Sequence, residues 1–170
     1  MNIAYFDTSA LLKQYVTETG SNWVRAHLSS ATAPAVFTSQ LTAVEAICAF
    51  ARRLRDGTLL PADHATAVQA FDYDIAYRYT LLDVMPVTID AARRLASLHP
   101  LRAYDAVQLA TAWSLNRDLV NDGEAPLTFI CADDGLLTVA QAEGLRTDIP
   151  TIIPDPRLHS GPRAPRPVCS

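Results

Sequence analysis

The sequence predicts an α/β domain, a three-layer sandwich with a mainly parallel central sheet flanked by helices. Two observations predict it. Short, continuous apolar runs alternate with longer stretches of helical periodicity, and several of those runs stop abruptly at an acidic or polar residue. No internal repeat or inner linker breaks the alternation, so 170 residues read as one domain with enough chain to bury a core.

Residues 2–6 read as a short buried strand that ends at Asp7-Thr8-Ser9, polar residues able to cap a helix over 10–16. Ser21 is placed to cap a second helix containing Trp23, Val24, Ala26 and Leu28. Residues 35–38 form the expected second strand. It leads into a helix that begins at Ser39-Gln40-Leu41-Thr42-Ala43-Val44-Glu45, continues through Ile47, Ala51 and Leu54, and stops near Gly57. Pro61 opens another helical stretch in which Ala65, Val68, Phe71, Ile75 and Tyr79 make a broad apolar face. The aromatic residues Phe71, Tyr73, Tyr77 and Tyr79 are expected to serve helix or subunit packing rather than base stacking. A third strand is expected over 85–87, with Thr88 capping a helix to about His99. After Pro100 a long helix is expected over 103–119, then the strongest strand over 127–132, then a helix over 136–143 that ends at Gly144. Residues 151–153 are the candidate last strand. The expected domain covers 1–154. The tail over 155–170, rich in proline and arginine, lacks the apolar residues to pack a core and is expected to be extended or disordered.

Hydrophobic residues at 49% and charged residues at 19% are ordinary for a globular protein. A net charge of −4 argues against a surface that binds nucleic acid everywhere, but is compatible with a local basic groove around an acidic centre. Cys48, Cys131 and Cys169 lack metal-ligand spacing. Cys48 and Cys131, in apolar surroundings, read as core thiols of a reducing compartment. An acid at position 7 interrupts what would be the apolar part of a signal peptide, and no stretch is long and apolar enough to span a bilayer. A cytoplasmic location without membrane contact is the expectation.

The chemistry is expected from four carboxylates that follow element boundaries. Asp7 and Asp133 directly follow strands, so parallel, adjacent strands would bring both to one edge of the sheet, where open α/β sheets bind ligands. Glu45 lies in the first turns of the helix after the second strand, and Asp105 near the start of the helix after Pro100. Any one of these acids alone reads as a loop residue or helix cap. Together they would repel and lose solvation unless a cation or shared protons held them. Hard oxygen donors without clustered histidine or cysteine favour Mg²⁺ or Mn²⁺ over zinc. His27, His64, His99 and His159 have no ligand spacing, and the chain has no nucleophilic serine elbow and no glycine-rich phosphate loop.

Thr8 and Ser9 have a capping role and a second one, fixing the Asp7 carboxylate or a metal-bound water. Asp134 adjoins Asp133 and is placed either to reach the metal or its water or to serve as a solvent-side neighbour or a cap for the following helix. Lys13, Arg52 and Arg102 are the candidate contacts to an RNA backbone; Arg52 lies about two helical turns beyond Glu45, flanked by Arg53 and Arg55. The reaction expected of such a site is metal-assisted phosphodiester hydrolysis, leaving 5′-phosphate and 3′-hydroxyl ends. A phosphatase on a similar sheet is the rival enzyme, although Ser9 stands where a second acid two positions after the nucleophile would be expected. A binding module with a structural ion is the non-enzymatic rival.

Four motifs carry a resemblance to a known family. They are Asp7-Thr8-Ser9-Ala10-Leu11-Leu12-Lys13-Gln14-Tyr15-Val16 with Glu18 and Gly20-Ser21; Thr42-Ala43-Val44-Glu45; Arg102-Ala103-Tyr104-Asp105-Ala106-Val107-Gln108-Leu109-Ala110-Thr111-Ala112; and Phe129-Ile130-Cys131-Ala132-Asp133 with Leu136, Ala142 and Gly144. In this order they resemble the PIN-domain family, and specifically the VapC-type toxins of bacterial toxin–antitoxin pairs, over nearly the whole chain up to about Pro154. The resemblance implies a PIN-like sandwich and a ribonuclease that binds divalent metal through Asp7, Glu45, Asp105 and Asp133. It also implies a homodimer inhibited by a cognate antitoxin protein. The proline-rich tail is not typical of that family.

Overall fold

The computed structural model describes residues 2–151. In chain order these form β1 (Ile3–Phe6), α1 (Thr8–Leu11) followed by a 3₁₀ turn (Leu12–Gln14), α2 (Ser21–Ser29), β2 (Ala35–Ser39), α3 (Leu41–Arg55) and α4 (Pro61–Tyr77). They continue with β3 (Tyr79–Leu82), α5 (Pro86–Leu98), α6 (Ala103–Asn121), β4 (Thr128–Ile130), α7 (Asp134–Ala142) and β5 (Arg146–Asp148). The strands make one sheet in the order β3-β2-β1-β4-β5, and every neighbouring pair is parallel. Tyr5 lies in register with Phe37 on one side and Phe129 on the other.

Parallel neighbours need long crossovers, and the helices that supply them cover both faces. Side chains of β1 alternate between these layers. Ile3 and Tyr5 join Leu127, Phe129 and the apolar faces of α5, α6 and α7. Ala4 and Phe6 join Val36, Ile130 and the side chains of α1 to α4. Tyr5 stacks on Phe129 at 5.7 Å between ring centres, while Tyr15, Phe50 and Phe71 meet edge to face in the other layer. Packing is therefore the role of Phe71, as expected; Tyr73 and Tyr77 stand exposed on α4. Among the described residues no helix is long and apolar enough to cross a membrane.

The structure differs from expectation at several points, each for a physical reason. The third strand is Tyr79–Leu82, not 85–87. Met85 is instead the cap of α5 and Pro86 its first residue, where a missing N–H costs nothing and a fixed φ fits the helix. Thr88 lies inside that helix and is not its cap. Tyr79 opens β3 rather than extending the face of α4. The last described strand, Arg146–Asp148, carries no apolar run because it lies at the sheet edge, largely exposed. Residues 152 and 153 of the strand expected over 151–153, and the tail over 155–170, lie outside the described residues. The first helix is a single turn followed by a 3₁₀ turn. Cys131 is buried as expected, but Cys48 is exposed on the outer face of α3.

The connection into α2 is held by two devices. Ser21, expected as the cap, is the first helical residue, and Gly20 takes the cap position with φ +87°. The Ser21 hydroxyl accepts from Glu18 N at 2.9 Å and donates to Val16 O at 2.8 Å, closing the loop on itself. A Cβ on Gly20 would lie 2.6 Å from the Pro150 carbonyl oxygen, so glycine is needed both for its backbone angle and for the close approach of the chain's last described turn. Glu18 binds Lys13 at 2.9 Å and Arg53 at 2.6 Å, joining this loop to α3. Burial alone would raise the Glu18 pKa; the hydrogen bonds from Lys13 and Arg53 outweigh it and hold the carboxyl below its usual range.

These contacts make two predictions about stability. Gly20→Ala should cost about 1–3 kcal/mol, a fall in Tm of roughly 2–10 °C for a chain of this size. Gly57→Ala, at φ +75° with nothing within 4 Å of the added carbon, should cost less; equal losses in thermal melts would show that the Pro150 contact is immaterial. Because folding lowers the Glu18 pKa, its contribution is present above the unfolded value of about 4.3 and is lost as pH falls through the folded value. Glu18→Gln should therefore lower Tm at pH 7, and the gap to wild type should close in acid; a gap independent of pH would contradict the ion-pair account.

Candidate active site

β1 and β4 are adjacent, and the chain winds away from them in opposite directions, through β2 and β3 on one side and β5 on the other. Their carboxyl ends therefore flank a topological switch point, where adjacent loops part and leave a crevice. Asp7 follows β1 and Asp133 lies just beyond β4, with Asp7 N bonded to Ile130 O at 2.9 Å across the gap. The expectation that these strands are parallel neighbours is met by the observed register.

Asp7 is buried and caps α1, its Oδ2 accepting from Ser9 N at 3.0 Å and Ser9 Oγ at 2.6 Å. Burial raises the Asp7 pKa, the two Ser9 donors oppose that, and the negative charge of Glu45 adds to it. Ser9 Oγ also accepts from Ala132 N at 3.0 Å, so one hydroxyl ties the β1 and β4 ends together. Cys131 Sγ lies 3.5 Å from Asp7 Oδ2 and accepts from Asp133 N at 3.2 Å. Burial pushes the thiol pKa far up, so Cys131 is a neutral packing and hydrogen-bonding group here.

Glu45 projects from the second turn of α3. Its Oε2 accepts from Thr8 Oγ1 at 2.5 Å and from Gln108 Nε2 at 2.6 Å. Gln108 is itself almost fully buried; its Oε1 accepts from the Tyr5 hydroxyl at 2.6 Å, and its Nε2 also lies 3.0 Å from the hydroxyls of Thr8 and Thr42. Thr42 and Thr38 are 2.6 Å apart, and Thr38 donates to Phe6 O at 2.8 Å. A continuous polar chain thus crosses β1, α1, β2, α3 and α6 beside the crevice.

Asp105 is half-buried in the first turn of α6, three residues before Gln108. Burial raises its pKa and the charge of Asp133 raises it further, while Arg102 opposes both. Asp133 is exposed and caps α7, accepting from Leu136 N at 2.9 Å. The capping role considered for Asp134 therefore belongs to Asp133; Asp134 is the exposed first residue of α7.

The negative charges of Glu45 and Asp133 thus add to the burial of Asp7 and Asp105 respectively, while Ser9 and Cys131 join the ends of β1 and β4. Among the described residues, no three histidine, cysteine, aspartate or glutamate side chains are gathered closely enough to hold a metal ion as they stand. Lys13, expected to face phosphate, is instead engaged by Glu18 and by Thr19 O, both at 2.9 Å, with its side chain only 12% exposed. Arg52 and Arg102 are exposed. Sequence reasoning misses Tyr5, Thr38, Thr42 and Gln108. Gln108 does carry a signal, a polar side chain within the apolar run Ala106-Val107-Leu109-Ala110 of a buried helix.

Residues 4–125 match the PIN domain model. Ribonuclease VapC45 of Mycobacterium tuberculosis (strain CDC 1551 / Oshkosh) and ribonuclease VapC49 of M. tuberculosis (strain ATCC 25618 / H37Rv) are each 32% identical over 147 residues, covering 86% of this chain and 94% of theirs. Among solved structures, a chain of a toxin–antitoxin complex from Klebsiella pneumoniae superimposes with a TM-score of 0.55 at 18% identity, over 88% of this chain and 99% of that one. FitAcB from Neisseria gonorrhoeae does so with a TM-score of 0.60 at 17% identity, over 87% and 98%. These two show the fold, a parallel sheet between helical layers. The family model and the mycobacterial relatives, together with that fold, establish that the chain belongs to the PIN-domain family and is homologous to VapC-type ribonuclease toxins.

Proposed function

We propose that this protein is a divalent-metal-dependent endoribonuclease and the toxin of a toxin–antitoxin pair. One observation carries the reading: Asp7 and Asp133 follow adjacent parallel strands to the switch point, and burial with a neighbouring carboxylate's charge raises the pKa of Asp7 and of Asp105. Carboxylates kept in such a position are unfavourable alone and favourable around a cation. The donor set suits Mg²⁺ or Mn²⁺, since it consists of carboxylates with adjoining hydroxyls and includes no imidazole. Asp7, Glu45, Asp105 and Asp133 would hold the ion, which would offset charge on the phosphate and lower the pKa of the attacking water.

The chain's own residues do the remaining work. Ser9 fixes the Asp7 carboxylate, Thr8 fixes that of Glu45, and Glu45 orients the attacking water. Arg52, exposed near the end of α3, and Arg102, exposed at the start of α6, contact the RNA backbone. Asp134 remains a solvent-side neighbour. Similarity to the two mycobacterial ribonucleases supports RNA as substrate, and the likeness to a chain of the Klebsiella toxin–antitoxin complex supports an antitoxin partner. Exposed Val44 and Ile47 on α3, and Met85 and Val87 at the start of α5, support assembly as a homodimer.

Asp7→Asn should reduce RNA cleavage by more than the roughly 10–100-fold typical of losses outside a metal's direct ligands, with Tm little changed, because the site already favours a neutral group. Mapping RNA ends after brief expression of each form reads this directly; equal cleavage by the variant would refute the assignment. Chelation by EDTA should abolish cleavage and added Mn²⁺ restore it. Release of inorganic phosphate from small esters without RNA cleavage would indicate a phosphatase instead, and metal binding without turnover a binding module.

A further inference from the structure

We infer that Gln108 is a positioning residue for Glu45, itself held in place by a hydrogen bond from the Tyr5 hydroxyl. This rests on the proposed nuclease reading and adds to it a residue that the four-acid pattern does not contain.

An ionised carboxylate can only accept hydrogen bonds, so the amide atom 2.6 Å from Glu45 Oε2 has to be the NH₂ group. The carbonyl end then faces Tyr5, and the Tyr5 hydroxyl must donate to it across 2.6 Å. Rotating the amide by half a turn would set its oxygen against the carboxylate oxygen, so Glu45 decides the orientation and the Tyr5 hydroxyl holds the carbonyl end in it. The second N–H of the amide has the Thr8 and Thr42 hydroxyls within 3.0 Å. Thr8 gives its own proton to Glu45 Oε2, and Thr42 is anchored through Thr38 to the backbone of Phe6. Both donors reach the same oxygen of Glu45; among the described residues Oε1 receives no hydrogen bond from the protein. One carboxylate oxygen is thus held from α1 and α6, while the other is left for ligand or water.

A glutamine buried only for packing would need no such convergence. Gln108 and Tyr5 are almost completely buried, so neither hydrogen bond is exchanged with solvent, and each is worth more than a surface bond. Gln108 also lies three residues after Asp105 on one face of α6, so the same helix carries one of the four acids and the group that orients another.

The test uses the full chain as wild type, Gln108→Met, Tyr5→Phe and the double variant. Methionine keeps length and volume without the donor. Mn²⁺ affinity is measured by titration calorimetry, kcat and KM on a short RNA substrate, and Tm by melting. Loss of the positioning bond is expected to weaken Mn²⁺ binding or lower kcat by about 10–100-fold in Gln108→Met, with KM for RNA nearly unchanged. Tyr5→Phe should show a smaller loss in the same parameter, and the double variant should be no worse than Gln108→Met alone, because the two groups act through one bond. A lowered Tm with wild-type Mn²⁺ affinity and kcat, an effect on KM alone, or additive losses would overturn the inference. Should Gln108→Met not fold, Tyr5→Phe decides: an unaltered kcat and Mn²⁺ affinity would overturn it. Wild type that neither binds Mn²⁺ nor cleaves RNA would instead overturn the nuclease reading, and this inference with it, whereas active wild type alongside unaffected variants removes only the role of Gln108.

Discussion

The pairing of β1 with β4 is the constraint on which the site depends. It sets two strands from opposite ends of the sequence side by side and parallel, so that both chains leave the sheet at the same edge and turn apart. Asp7 and Asp133 need only follow their strands to arrive at the crevice. The pairing is held by the Tyr5–Phe129 stack in one layer, by Phe6 and Ile130 in the other, and by Ser9, whose hydroxyl bonds both the Asp7 carboxylate and the Ala132 amide. A shift of one residue in this register would exchange the two faces of β1 and carry Tyr5 away from Gln108.

Around that crevice the protein holds charge in a place where charge is costly. Asp7 is buried, and no basic side chain is paired with it among the described salt bridges. Its partners instead are the hydroxyl and backbone amide of Ser9 and the Cys131 thiol, which orient the carboxylate without neutralising it. Positive charge is placed further out, on Arg52 and Arg102, or is occupied elsewhere, as Lys13 and Arg53 are by Glu18. On the proposed reading, a net charge of −4 is compatible with RNA binding through a limited patch at one edge of the sheet.

The polar network behind Glu45 shows how satisfied buried groups can fix one side chain. Its members come from five separate elements, and every one has a partner, which is the condition under which a buried network rigidifies a core rather than weakening it. Among the described residues the single buried side-chain atom without a partner is Gln14 Oε1, outside this network.

Period and punctuation in the sequence by themselves determined the layered α/β class, most element positions, and the placing of Asp7 and Asp133 just beyond two strands. Apolar alternation and abrupt polar stops are local properties, and buried strands and helices cannot be built without them. The role of Pro86 is ambiguous in the sequence, because an apolar Met85-Pro86-Val87 run suits a strand and a helix entry alike. Tertiary structure alone decided the rest. That β5 forms from Arg146, Thr147 and Asp148 depends on an open edge beside β4, which no local pattern announces. That Lys13 faces Glu18 rather than the crevice depends on where the loop before α2 folds back. That Gln108 meets Glu45 and Tyr5 depends on elements more than sixty residues away in sequence closing on α6. Such convergence is a property of the packed chain, because hydrogen-bond partners are chosen by distance in space and not by spacing along the backbone.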